Sequence, residues 1–94
     1  MNKLVDNYDK MYNMHKVEVI HESKVVAQVW VDKNLTLNQM LDKAFMLTNS
    51  INDAWWNNKD VVCLEKTRST MSGDQVIIKG HTYECMDRGW RSLG

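Results

Sequence analysis

The chain has no proline and no net charge, and its 94 residues include only four glycines and two cysteines. Without proline, the breaks between elements must come from glycine, asparagine and aspartate. Zero net charge removes any general attraction to nucleic acid or anionic lipid, so such binding would need a local charged patch. No apolar run approaches the roughly 18 residues of a membrane-spanning helix, and we expect no contact with a membrane.

The N-terminal stretch MNKLVDNYDKMYNM lacks the apolar core of a secretory signal peptide, so we expect the protein in the cytoplasm. In that compartment Cys63 and Cys85 are expected to be reduced. Apolar residues make up 44% of the chain and charged residues 26%, which is ordinary for a folded domain. The length predicts one domain over residues 1–94.

Residues 16–31, KVEVIHESKVVAQVWV, predict a β-hairpin. Val17 and Val19 flank Glu18, and residues 25–31 continue the alternation with β-branched side chains. Alternation with a period of two is typical of half-buried strands. The sequence HESK supplies the turn, although it lacks the glycine of the strongest hairpin turns.

Residues 36–51, TLNQMLDKAFMLTNSI, predict the main helix. Thr36 and Gln39 have the spacing of a capping box, in which each side chain bonds a backbone N–H of the first turn. The helix is expected to run from about Leu37 to Asn49. One stripe of it is expected to face the core: Leu37, Met40, Leu41, Ala44, Phe45 and Thr48.

Three or four further strands are predicted in the second half of the chain. The apolar run VVCL covers residues 61–64, and QVIIKGHTYECM, residues 75–86, forms a hairpin that turns at Lys79 and Gly80. RGWRSL, residues 88–93, closes the chain as a short strand.

Residues 1–15 could add an N-terminal arm or a short helix, because Leu4, Tyr8 and Met11 recur at helical spacing. The order of elements is then β-β-α-β-β-β. It predicts an α+β fold, with one main helix packed on a small, mostly antiparallel sheet.

The loop RSTMSGD, residues 68–74, concentrates hydroxyl groups with one arginine and one aspartate. A phosphate-binding P-loop needs Gly-Lys-Ser/Thr at the start of a helix, and a nucleophile elbow needs a serine between two spaced glycines. Neither pattern is present. We interpret Ser72, Gly73 and Asp74 as a turn that starts the next strand at Gln75, with Asp74 accepting hydrogen bonds from nearby backbone N–H groups.

Metal-dependent and nucleophilic chemistry find little support in the sequence. His21 and Glu22 begin like the HExxH motif of zinc proteases, but Val25 stands where the second histidine should be. The histidines and cysteines show no ligand spacing, and Cys63 lies in an apolar run, where a thiol is inert. We therefore expect no metal, no cofactor and no enzymatic activity.

Four tryptophans are a high load for so short a chain. Trp55 and Trp56 are adjacent, and an extended backbone would send their side chains to opposite sides. We predict Trp55 in the core and Trp56 at the surface. Because tryptophan and arginine are enriched at binding hot spots, the predicted partner contacts are Trp56, Trp90, Arg68, Arg88 and Arg91.

The segment RSTMSGDQVIIKGHTYECMDRGWRSL, residues 68–93, resembles the C-terminal part of small uncharacterised proteins carried by phages and plasmids. Their pattern is R-S-x-S-x-G-D-V-I, a glycine turn, a tyrosine and a closing G-W or G-F. Residues 44–61, AFMLTNSINDAWWNNKDV, resemble their helix and the aromatic segment after it. Gln75 departs from the pattern, since an apolar residue usually follows the G-D pair. The resemblance covers about half the chain and implies origin in a mobile element more than an activity.

These observations favour a non-enzymatic interaction protein of a phage or other mobile element. We expect it to bind and modulate a host bacterial protein of transcription, nucleic-acid processing or defence by covering its surface. Two alternatives stay open. One is a module that binds single-stranded nucleic acid through tryptophan and arginine. The other is a protein that sequesters a small ligand in a pocket walled by tryptophans.

Overall fold

The structure is a computed structural model that describes residues 14–51 and 53–94. Most of the possible N-terminal arm or helix, predicted over residues 1–15, lies outside the described residues. Met14 and His15 belong to the first strand. The elements, in chain order, are β1 Met14–His21, β2 Lys24–Asp32, α1 Leu37–Leu47, a 3-10 turn Trp55–Asn57, β3 Val61–Cys63, β4 Gln75–Ile78, β5 His81–Cys85 and β6 Trp90–Ser92.

The described strands form one six-stranded sheet in the order β3-β2-β1-β4-β5-β6, and every neighbouring pair is antiparallel. The helix α1 packs on one face, which confirms the predicted α+β fold. Four strands follow the helix, one more than in the predicted order β-β-α-β-β-β. Alternate residues of the central strands meet the helix across the core because the side chains of a strand alternate between its two faces. The core includes Val17, Val19, Val29, Val76, Ile78, Leu41, Ala44 and Trp55.

Both predicted hairpin turns are confirmed, and each turn has two central residues with positive φ. Glu22 and Ser23 have φ of 53° and 69°, and Lys79 and Gly80 have 53° and 79°. Two successive residues in this region match the type I′ turn, whose twist suits the flanking strands. The first turn therefore adopts this geometry without a glycine, at some cost in backbone strain.

The helix begins with the predicted capping box. The Thr36 hydroxyl accepts from the Gln39 N–H at 3.2 Å, and the Gln39 side chain accepts from the Thr36 N–H at 2.9 Å. The helix ends at Leu47, two residues earlier than predicted, because Thr48 leaves helical geometry and serves as the C-cap. The predicted apolar stripe is wrong at its first position, since Leu37 is 46% exposed.

Replacing Thr36 with alanine should lower the free energy of unfolding by about 1 kcal/mol, because the cap hydroxyl is lost. Urea denaturation followed by circular dichroism measures the change. Asn38→Ala is the matched control, since Asn38 is exposed in the same turn and takes no part in the capping box. Equal loss in both variants would contradict the role of the cap.

The two cysteines are free, as expected, and lie on strands separated by three others. Cys63 is on β3 and Cys85 on β5. Among the described helices, none is long and apolar enough to cross a membrane.

Candidate functional site

The RSTMSGD loop is organised by the buried carboxylate of Asp74. Both terminal nitrogens of Arg68 donate to it, at 2.6 and 2.8 Å, and the Met71 N–H donates at 2.8 Å. The backbone then turns through Ser72 and Gly73, with φ of 94° at the glycine, and β4 begins at Gln75. The predicted role of this loop as the start of a strand, with Asp74 bonding backbone N–H, is confirmed.

A buried hydroxyl network ties the same loop to α1 and β1. The Thr70 hydroxyl lies 2.7 Å from the Thr48 hydroxyl and 2.8 Å from Nε2 of His21. The Thr70 N–H also donates to the Thr48 carbonyl at 3.0 Å. No motif in the sequence predicts this network. The alternation of Val17 and Val19 in the sequence does indicate that His21, two residues further on, points into the core.

The protonation states of Asp74 and His21 depend on burial and on hydrogen bonding. Burial alone would raise the pKa of Asp74, but the hydrogen bonds from Arg68 and from the Met71 N–H outweigh it and hold that pKa below its usual value. Burial lowers the pKa of His21, although the Asp74 carboxylate lies 3.5 Å from Nε2 and favours the charged form. Near neutral pH, Asp74 is therefore ionised and His21 is neutral.

The protein should lose stability as the pH falls below about 6.5, the ordinary pKa of histidine. The unfolded chain then binds a proton at His21 that the folded protein resists, because the folded-state pKa is lowered. The loss is at most about 1.4 kcal/mol per pH unit from this one group. Urea denaturation between pH 5 and 8 would measure it. His21→Gln should make the free energy of unfolding depend less steeply on pH. An unchanged pH dependence in this variant would show that other groups cause the loss of stability.

Two of the predicted partner contacts, Trp90 and Arg91, are engaged within the chain. The Trp90 ring N–H donates to the Asp42 carboxylate at 3.0 Å. The same ring meets Phe45 edge to face, with centroids 6.5 Å apart. Arg91 forms an ion pair with Glu84, its cross-strand neighbour on β5. These contacts hold β6 against the helix and the sheet.

Trp56 lies at the opposite side of the molecule. It follows Trp55 in the 3-10 turn that contacts β3, whereas Trp90 lies on β6, the other edge strand. Five strand spacings, roughly 24 Å, separate these edges. The Arg68 guanidinium is already hydrogen-bonded to the Asp74 carboxylate. The structure therefore does not bring the five predicted contacts together on one surface.

Trp55 is fully buried, as predicted, and Trp56 is partly buried against the core. The backbone is not extended at this pair, as the prediction had assumed. The 3-10 turn brings the two rings edge to face, with their centroids 5.5 Å apart. The Lys66 ammonium lies 5.8 Å from the centroid of the Trp56 ring. This distance suits a cation–π contact.

Arg88 is exposed and lines an open groove at the end of the β5–β6 hairpin. It makes no hydrogen bond or ion pair with any residue of 14–51 or 53–94. Beside it, Met86 is 39% exposed. The hairpin groove, as we call it, has a volume of about 510 Å³ and is lined by Ser72, Gly73, Glu84, Cys85, Met86, Asp87 and Arg88.

The walls of the hairpin groove are fixed by hydrogen bonds. The Gly73 N–H donates to the Cys85 carbonyl at 2.7 Å, and the Ser72 hydroxyl donates to the Asp87 carboxylate at 2.8 Å. Burial raises the pKa of the Cys85 thiol, and nearby carboxylates including Asp74 add to the shift. This cysteine is therefore a protonated thiol and a poor nucleophile near neutral pH.

Within the part of the chain that the structure describes, no three histidine, cysteine or acidic side chains are grouped to hold a metal ion. The resemblance of residues 68–93 to phage and plasmid proteins stays a prediction that rests on the quoted motif. No family model matches the chain, and no curated protein or solved structure is significantly similar to it.

Proposed function

We propose that this chain is a non-enzymatic protein of a phage or other mobile element that binds a host bacterial protein through the hairpin groove. One observation carries the proposal: the Arg88 guanidinium is exposed, has no partner among the described residues, and lies beside the exposed Met86. Arginine and methionine are both enriched in protein interfaces relative to other surfaces.

Two hydrogen bonds between residues that line the groove support the same proposal. The Gly73 N–H donates to the Cys85 carbonyl and the Ser72 hydroxyl donates to the Asp87 carboxylate, so the loop and the hairpin are joined across the groove in the free protein. A surface already held in shape loses little conformational entropy on binding, so more of the contact energy appears as affinity. In this proposal Trp90 and Arg91 position the hairpin, and Arg88 makes the contact.

The proposed mechanism is occlusion of a functional surface on a component of transcription, nucleic-acid processing or defence. An interface of standard size covers about 800 Å² on each partner. A domain this small can therefore block a site on a larger protein without any chemistry of its own.

Arg88→Ala should weaken binding to the captured host protein by about tenfold or more, the effect of losing one hot-spot arginine. The tagged protein would first capture partners from bacterial lysate, and mass spectrometry would identify them. Affinity of the purified pair would then be measured for each variant. Lys59→Ala is the charge-matched control, because Lys59 is exposed and lies just before β3 at the far edge. Equal affinity of wild type and Arg88→Ala would reject the groove as the interface.

A second candidate function, binding of single-stranded nucleic acid, is favoured by one observation on the other face of the sheet. Trp30 on β2 is paired in register with Lys16 on β1, and both point away from the face that carries α1. Aromatic and basic side chains on a sheet surface are used to stack bases and hold phosphates. Binding to an oligonucleotide that falls steeply with added salt, and that Trp30→Ala abolishes, would favour this candidate.

A further inference from the structure

The edge strand β3 has free backbone hydrogen-bonding groups on its outer side. Just past its end, the Leu64 N–H donates to the carbonyl of Val26, the residue opposite in the register with β2, at 2.8 Å. Backbone groups alternate between the two sides of a strand. Val62 therefore also bonds β2, and the N–H and C=O groups of Val61 and Cys63 point outward. Among the described residues, none forms a hydrogen bond with these outward groups.

The side chains along this edge are apolar and partly open to solvent. Val62 is 44% exposed and is paired with Gln28, so it lies on the sheet face away from α1. Val61 and Cys63 lie on the other face and pack against the core. Edge strands are commonly protected from further pairing by a proline, a charged side chain or a bulge. Residues 61–63 contain none of these.

We propose that β3 pairs antiparallel with β3 of a second copy of this chain, about a two-fold axis at Val62. In this register Val61 of each copy lies opposite Cys63 of the other. Every outward N–H and C=O group of these two residues then has a partner. A register shifted by one residue would place outward groups opposite inward ones. A shift by two residues would leave only one of the two residues paired within the strand.

The side chains around β3 complement each other under the same two-fold rotation. The two Val62 side chains face each other at the closer spacing of a non-hydrogen-bonded pair, where apolar contacts stabilise a sheet. The charges flanking the strand run KD before VVCL and EK after it. An antiparallel arrangement therefore brings Lys59 of each copy to Glu65 of the other, and opposite charges meet at both ends of the pairing.

The other edge of the sheet, β6, does not offer an equivalent pairing. The Leu93 N–H donates to the Thr82 carbonyl at 2.8 Å, so by the same alternation Trp90 and Ser92 carry the outward backbone groups. Pairing two copies through both residues would place Arg91 directly opposite its own copy. Like charges at such positions destabilise a sheet. The symmetric pairing is therefore specific to β3.

The β3 pairing goes beyond the proposed function and does not depend on it. The hairpin groove lies at the end of the β5–β6 hairpin, in the half of the sheet away from β3. Each copy therefore keeps its groove open, and the dimer presents two grooves on one particle.

Sedimentation equilibrium of the full chain would test the dimer. We expect a monomer–dimer equilibrium with a dissociation constant of about 100 µM, because a three-residue edge gives an interface below the standard size. Val62→Lys should raise this constant by about tenfold or more, since it places like charges opposite each other at the axis. Leu93→Lys is the matched control, because Leu93 is also 44% exposed but lies just past β6.

Oxidative cross-linking would test the register. In a chain that carries Cys63→Ser, Val62→Cys places two thiols directly opposite each other, at a spacing that a disulfide spans. Mild oxidation should then give a covalent dimer. Leu64→Cys in the same background is the control. Its two thiols would be offset by four residues, roughly 13 Å at about 3.3 Å per residue, and should not cross-link.

Reversal of the flanking charges would test the ends of the pairing. Lys59→Glu should weaken the dimer, because it places like charges together at both ends. Adding Glu65→Lys to the same chain exchanges the two signs and should restore the affinity of the wild type. Failure of the double variant to recover would reject the contact between Lys59 and Glu65.

Four results would overturn the proposal. The first is a wild-type chain that stays monomeric up to about tenfold above the expected dissociation constant. The second is association that Val62→Lys leaves unchanged or that Leu93→Lys weakens equally. The third is a particle that grows beyond two chains, which would show that unlike edges pair. The fourth is cross-linking through Leu64→Cys but not through Val62→Cys.

Discussion

Trp55→Ala should lower the free energy of unfolding by about 3–5 kcal/mol, as truncation of large buried aromatic side chains does. Trp55 is 0% exposed and lies in the core against the edge of Trp56. Its ring N–H also donates to the Thr67 carbonyl at 2.9 Å, and this acceptor would lose its partner. The residue thus fixes the position of the chain that leads into the RSTMSGD loop.

Urea denaturation followed by circular dichroism would measure this loss. Trp56→Ala is the control from the next position, and its loss should be about 1–2 kcal/mol, because Trp56 is only partly buried. Trp55→Phe retains a large ring without the N–H donor, so its loss of free energy of unfolding should lie between those of the two alanine variants. Equal losses for Trp55→Ala and Trp56→Ala would show that the pair acts as one core unit.

Asp74→Asn should lower the free energy of unfolding at neutral pH by about 2 kcal/mol, the range for a charge-assisted hydrogen-bond network. The substitution keeps the volume of the side chain but removes the charge that Arg68 contacts with two nitrogens. Because Arg68 is 37% exposed, water compensates part of its loss, and we place the effect below that of a fully buried ion pair.

The same variant should change the acid range of the stability curve. The pKa of Asp74 is lowered in the folded protein, so its contribution is fully present above the ordinary aspartate pKa of about 3.9 and is lost as the pH falls through the folded-state value. Asp74→Asn should therefore reduce the loss of stability in acid. Asp87→Asn is the matched control, since it removes an exposed charge that accepts from Ser72. An acid curve identical to that of the wild type would show that the Asp74 pKa is not lowered.

The strands and the helix could be predicted because each one is specified by residues close together in the sequence. Alternation with a period of two located β1 and β2, and the spacing of Thr36 and Gln39 located the start of α1. The order of the sheet was not predictable in this way. It depends on the pairing of β1 with β4, which brings together segments far apart in the chain, and no turn residue specifies that pairing.

The candidate site was harder to predict, because composition does not distinguish a contact within the chain from a contact with a partner. Trp90 has the chemistry of a hot spot but donates to Asp42. The ion pair of Arg91 could have been found by counting residues outward from the turn between β5 and β6, because cross-strand register there places Glu84 opposite Arg91. The hydroxyl network could not be found by counting along paired strands, because Thr48 is the C-cap of α1 and Thr70 lies in a loop.

The strand order also divides the sheet into two three-stranded halves that meet only at β1 and β4. Each half is held by pairings between neighbours in the chain order, and three strands alone are close to the smallest sheet that is stable in water. The seam pairs Val17 with Ile78 and Val19 with Val76, so its formation must close the long stretch of chain that contains β2, α1 and β3. Contacts of such large sequence separation slow folding. We therefore expect the pairing of β1 with β4 to limit the rate of folding, and we expect substitutions of Val17, Val19 and Val76 at this seam to slow folding most.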